Sequence, residues 1–168
     1  MKRVVFITAP EVFRDEEYFK PKEILEKAGV EIITASLKIG QLNGRFGYKT
    51  VSTILISDIK SADFDGIVYV GGGGASVFFE NKCALQLANE FFNQNKPLAA
   101  ICIAGVILAN SGVLKGKKST VYIDGKEALI RVGADYTGNS LEVDGNIITA
   151  NGPEVAEDFG KAIVKILQ

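Results

Sequence analysis

Cys102 is the residue in this chain best placed to do chemistry. It stands in Pro97-Leu-Ala-Ala-Ile-Cys102-Ile-Ala-Gly-Val-Ile-Leu-Ala-Asn110, where a short apolar run gives way to an alanine-rich one. The residues after Pro97 have the length and continuity of a strand covered on both faces. Those from Ile103 suit a helix that stops at Gly112. Such a sharp strand-to-helix corner holds a side chain above the sheet. In nucleophile elbows of this kind, small residues two places before and after the nucleophile relieve crowding. Ala100 and Ala104 hold those places, with Gly105 next. The start of the helix favours the thiolate, the reactive form of cysteine. The alternative is a buried cysteine that closes a hydrophobic strand.

Cys83 is the control. It lies on a stripe of Phe79, Cys83, Leu87 and Phe91, spaced by four on one helix face, where a free cysteine behaves as a small hydrophobe. Histidine is absent from all 168 residues. That removes any Ser–His or Cys–His couple and any histidine-based zinc site. Gly71-Gly-Gly-Gly74 follows a buried strand, but Ser76 and Val77 stand where a dinucleotide fingerprint needs Gly or Ala, and no P-loop is present. The four glycines instead imply close approach of bare backbone to a neighbour, with amides exposed. The acidic cluster Glu11, Asp15, Glu16 and Glu17 reads most simply as a solvated helix start. A carboxylate from it could also reach over the first strand's end toward the cysteine, and the residues alone do not choose which.

The elements that must position these groups alternate along the chain. Arg3 to Thr8 reads as a first strand, followed by a loop. Asp15 to Ala28 reads as a helix whose first turn is irregular, or whose regular part starts near Pro21. Val30 to Ala35 is a second strand, residues 37–52 a loop or small hairpin, and Thr53 to Ser57 a further strand. Gly66 to Val70 is strongly strand-like, and Glu80 to Asn95 is a helix. Ser119 to Ile123 follows the elbow helix as a strand, and Gly125 to Val132 is helical or irregular. Asp144-Gly145 signals a hairpin between Leu141–Val143 and Asn146–Ala150, and Pro153 to Leu167 is a closing helix. This order predicts an α/β three-layer sandwich: a mostly parallel, flavodoxin-like central sheet, helices on both faces and a small β-hairpin near 141–150. Ligands of such sheets bind beyond the strand C-terminal ends, where Gly71–Gly74 and Cys102 both fall.

The length suits one domain over residues 1–168. A formal charge of −1 gives no case for nucleic acid or an anionic membrane as partner. The early apolar run is too short for a signal peptide, and no stretch is long enough to span a membrane. Cytoplasmic location and reduced thiols are expected.

Val70-Gly71-Gly72-Gly73-Gly74, Ala99-Ala-Ile-Cys102-Ile-Ala104 and Val143-Asp-Gly-Asn-Ile-Ile-Thr149 together resemble the PfpI/ThiJ superfamily, on the class I glutamine amidotransferase-like fold. The resemblance runs from about Lys2 to Leu167. That superfamily includes intracellular proteases, glyoxalase III-type and deglycase proteins, and the parkinsonism-associated redox protein. The resemblance implies that Cys102 is the nucleophilic, oxidation-prone cysteine. It implies that Glu17 is the glutamate that is protonated and donates to the sulfur, and that Gly73 and the Ile103 amide are oxyanion-hole donors. Tyr122 takes the place where other branches carry a histidine, and Ile103 the place where the protease branch does. A tyrosine with a pKa near 10 is a poor base at neutral pH, so a Cys–His–acid protease is not expected. A homodimer, no cofactor and no metal are likewise implied.

The leading expectation is a cofactor-independent cysteine enzyme acting on a small carbonyl or acyl compound, of glyoxalase III, deglycase or amidase type. Cys102 would attack and Glu17 would shuttle the proton. The alternative is a non-catalytic redox-sensing or stress-protective protein whose Cys102 oxidises to sulfenic or sulfinic acid. A flavodoxin-like cofactor binder is a third reading of the same layers.

Overall fold

The computed structural model describes residues 1–168. In chain order the elements are β1 (Arg3–Ile7), β2 (Glu11–Phe13), α1 (Asp15–Lys27), β3 (Glu31–Ser36), β4 (Gly40–Gly44), β5 (Lys49–Ser52) and β6 (Ile54–Leu55). They continue with β7 (Gly66–Tyr69), α2 (Lys82–Asn93), β8 (Leu98–Ile101), α3 (Gly105–Ser111), β9 (Lys118–Ser119) and α4 (Lys126–Arg131). The last are β10 (Asp135–Tyr136), β11 (Leu141–Asp144), β12 (Ile147–Ala150) and α5 (Ala156–Leu167).

Seven strands form the main sheet in the order β11-β12-β8-β7-β1-β3-β6. All neighbours are parallel except β11, which pairs antiparallel with β12 through the Asp144-Gly145 turn. The central strands carry apolar side chains on both faces because both faces are covered. Val5, Ile7, Ile67, Tyr69 and Ala100 pack with α2 and α3. Val4, Phe6, Val68, Ala99 and Ile101 pack with α1 and α5. Each fully buried Val, Leu, Ile or Phe contributes about 1.5–3 kcal/mol relative to exposure. The three-layer α/β architecture expected from the element order is the one observed.

Three local differences bear on the site. First, α1 is continuous from Asp15, with Pro21 inside it. Proline cannot donate to the Glu17 carbonyl one turn back. The helix survives because it packs along α5, where a β-carbon on Gly160 would lie 3.0 Å from the Pro21 Cα. Second, the loop after β1 contains a short strand, β2, which pairs parallel with β4; β4 and β5 form the hairpin. Third, the strand expected over Ser119 to Ile123 is cut to Lys118–Ser119, which pairs with β10 outside the main sheet. Beyond it the backbone is held otherwise: Thr120 N–H donates to the Thr149 hydroxyl at 3.0 Å, and Tyr122 N–H to the Cys102 carbonyl at 3.3 Å. No helix is long and apolar enough to cross a membrane.

Candidate active site

At the end of β8 the backbone turns sharply, and Cys102 adopts a φ of +59°. A non-glycine residue in that region costs about 1–3 kcal/mol and is held there by its surroundings. Ala100 and Ala104 are fully buried on either side, and a short 3-10 turn, Cys102–Ala104, leads into α3. The elbow inferred from the sequence is present. Its cysteine is half-buried and opens into a cavity of about 430 Å³.

The first turn of α1 reaches the same place from the end of β1. Asp15 and Glu17 are buried there, so for these two the solvated helix start that the charge suggested does not hold, whereas Glu16 is half-buried and Glu11 is exposed. Asp15 accepts backbone N–H bonds from Phe46 at 3.0 Å and Tyr48 at 2.9 Å, which tie the β4–β5 turn to α1. Glu17 is wholly buried, and neither of its carboxyl oxygens finds an N–H or O–H partner. The polar group beside them is the Cys102 thiol.

Gly71 makes that meeting possible. A β-carbon at residue 71 would collide with Glu17 Oε2 and stand 2.7 Å from the Cys102 Cβ. The close backbone approach inferred for the glycine run is, at Gly71, an approach to the carboxyl and the cysteine together, and at Gly72 and Gly74 an approach to the backbone of residues 11–14.

Burial dominates the electrostatics. It pushes the Glu17 carboxyl up to about 8, against smaller lowering effects of the thiol and the Arg14 guanidinium. It also pushes the Cys102 thiol up to about 12, with negative charge on Glu17 adding to the effect. The backbone N–H groups of Ile103 and Gly72 oppose this by donating toward the sulfur. The thiolate expected from the helix start is thus disfavoured: α3 begins only at Gly105, and desolvation with a neighbouring carboxylate outweighs its dipole. The two groups titrate as a pair, since two negative charges this close repel in a partly dry site.

Each sequence-predicted site residue lines this one cavity: Cys102, Glu17, Tyr122, Gly73 and Ile103. The Gly73 N–H has no acceptor in the protein. Tyr122 is exposed on the cavity wall. Cys83 is elsewhere, half-buried on α2 against the core. Sequence reasoning missed Gly72 as a donor to sulfur, and it missed Arg14, Arg45, Asp124 and Glu154 on the cavity wall. Arg14 was visible beside the acidic cluster. Arg45 lies in a turn that reaches the site through the Asp15 bonds and through its own N–H, which donates to the Phe13 carbonyl at 2.9 Å; the sequence carries no local signal for either. The assembled parts are a thiol, an adjacent carboxyl that can give or take a proton, two backbone N–H groups directed at the sulfur and a Gly73 N–H without an acceptor.

Residues 2–166 match the model of the DJ-1/PfpI family. The chain is 39% identical to an uncharacterised protein of Methanocaldococcus jannaschii, over 99% of this chain and 82% of the relative. It is 31% identical to a protein of Pyrococcus furiosus named deglycase PfpI, covering 99% of each. Among solved structures it is similar to a ThiJ/PfpI domain protein from Brachyspira murdochii, with a TM-score of 0.96 at 32% identity, covering 98% of this chain and 95% of that one.

Proposed function

The chain belongs to the DJ-1/PfpI family, and from that premise we propose that it is a cysteine enzyme acting on a small carbonyl or acyl compound, without a cofactor. The observation that carries this reading is the Glu17 carboxyl, wholly buried, without an N–H or O–H partner, against a cysteine on a strained corner. A buried carboxyl that no structural contact employs is one available to move a proton. The deglycase name of the Pyrococcus relative supports the carbonyl assignment.

For a 2-oxoaldehyde such as methylglyoxal, the Glu17 carboxylate takes the thiol proton as sulfur adds to the aldehyde carbon. A C–S bond forms and the carbonyl π bond breaks. The resulting oxyanion is met by the Gly73 and Ile103 N–H groups and takes the proton back from Glu17. Glu17 then removes the hydrogen from the former aldehyde carbon and returns it to the neighbouring carbon through an enediol. This leaves a thioester whose hydrolysis releases lactate and restores the thiol. One water is added overall, with no net oxidation.

Lactate formation from methylglyoxal by wild type and Cys102→Ala tests this. Turnover by wild type and none by the variant is expected; equal rates, or none above buffer, would sink the proposal. A second reading is favoured by the Gly72 and Ile103 N–H groups directed at the sulfur, which would equally hold the oxygens of a sulfinate. Mild peroxide followed by peptide mapping addresses it: oxygen added at Cys102, with no substrate consumed, makes the protein a redox sensor.

A further inference from the structure

The cavity over Cys102 is electrically lopsided, and the sheet order explains how. Cys102 directly follows β8, which has β12 on one side and β7, β1 and β3 on the other. From the β12 side, and from the turn after β9, come the carboxylates Glu154 and Asp124. From the β1 and β3 side come two arginines, Arg14 just before α1 and Arg45 in the β4–β5 turn.

The two arginines are held differently. Arg14 donates through Nε to Glu16 Oε2 at 2.7 Å, which leaves its terminal nitrogens free. Its guanidinium carbon lies 4.9 Å from the centre of the Phe46 ring. Arg45 forms no ion pair, and its guanidinium carbon lies 5.5 Å from the same ring. One aromatic ring thus steadies both cations. The turn carrying Arg45 and Phe46 is fixed to α1 by the Asp15 bonds from Phe46 and Tyr48. Arg14 is already neutralised by Glu16, so Arg45 supplies the uncompensated charge and Arg14 a second fork of donors. Two guanidinium forks beside one cavity match the planar geometry of a carboxylate.

The cavity volume of about 430 Å³ is well beyond the needs of a three-carbon oxoaldehyde and in the range that holds larger small molecules. We infer that Arg45 and Arg14 form a carboxylate subsite, and that the compound handled by Cys102 carries a carboxylate a few bonds from its reacting carbon. The inference rests on the reading of Cys102 as the reacting residue, and its test does not require turnover.

Iodoacetate and iodoacetamide differ by one charge and alkylate cysteine alike, forming the C–S bond as iodide leaves. Their rates at Cys102 are measured by peptide mass spectrometry, with glutathione as the reference thiol. The ratio of iodoacetate to iodoacetamide rates at Cys102 is expected to exceed that of glutathione by about tenfold or more at low salt. It falls back toward the glutathione value in Arg45→Gln and, less steeply, in Arg14→Gln. Ratios equal to glutathione in wild type, or a high ratio that survives both substitutions, would overturn the subsite. The reading of Cys102 as an enzyme nucleophile fails separately, by absence of lactate formation. With turnover established, 4,5-dioxopentanoate should be preferred over the neutral 2-oxopentanal, and Arg45→Gln should erase that preference.

Discussion

Glu17 and Gly71 meet so closely that residue 71 has no room for a β-carbon: the added atom would overlap Glu17 Oε2. The contact sets the carboxyl against Cys102, whose Cβ would be 2.7 Å from the same atom. In Gly71→Ala either Glu17 or the cysteine corner must move. A displacement near 1 Å at a reacting pair costs about a hundredfold in rate, and overpacking costs about 1–3 kcal/mol of stability. Steady-state kinetics and urea denaturation of the variant check both. Full activity with unchanged stability would mean that the carboxyl is free to relocate and does not act from this position.

The pH dependence of turnover follows from which form of Glu17 does the work. Its carboxyl is raised to about 8 by burial, so at neutral pH most of it is protonated and unable to accept the thiol proton. The rate constant kcat/KM should therefore rise with pH through about 8, and the rising limb should vanish in Glu17→Gln along with most of the activity. General-base removal of this kind costs about 10²–10⁴-fold. A profile flat from pH 6 to 9, on the order of that range, would assign the proton transfer to another group.

Stability responds to the same residue with the opposite sign. Burial holds the folded carboxyl protonated up to about 8, whereas the unfolded chain releases that proton near the ordinary 4.5. Between those values the folded state binds the extra proton, so stability falls as pH rises and levels off above the folded value. The difference corresponds to about 5 kcal/mol. Glu17→Gln, which cannot ionise, should be more stable than wild type at pH ~8.5 by several kcal/mol and close to it at pH ~5. Chemical denaturation at the two pH values measures this directly. The variant expected to lose activity is thus expected to gain stability, a pattern typical of residues kept for function.

How much of this was legible follows from how local each feature is. The elbow was readable because its strand, its cysteine and the small residues Ala100 and Ala104 are consecutive. The parallel sheet was readable from apolar runs alternating with amphipathic helices. The Gly71–Gly74 run announced a close approach but not its target, since the carboxyl it admits belongs to α1, over fifty residues earlier. The burial of Asp15 and Glu17 was hidden for a similar reason: an acidic run at a helix start has the same composition whether it faces water or a neighbouring loop. Tyr122 was assigned to a strand from its apolar neighbours. In the fold, Thr120 and Tyr122 bond to Thr149 and Cys102, tertiary contacts that end β9 early. The raised pKa of Cys102 was unreadable, because the helix start argues for a thiolate and only the packed site shows how dry the sulfur is.

The strain at the elbow gives a final prediction, one that reverses the usual ranking of two residues. Glycine at most positions destabilises a fold relative to alanine, by about 0.5–1 kcal/mol within regular structure. At residue 102 the backbone φ is +59°, a region that glycine enters freely and alanine does not. Cys102→Gly should therefore be more stable than Cys102→Ala by about 1 kcal/mol, although both lack the thiol and both are expected to be inactive. Thermal melts of the two variants in one buffer decide the order. If alanine melts higher, the corner is not strained by its side chain, and the placement of the sulfur over the sheet must be credited to the packing of Ala100, Ala104 and Gly71 alone.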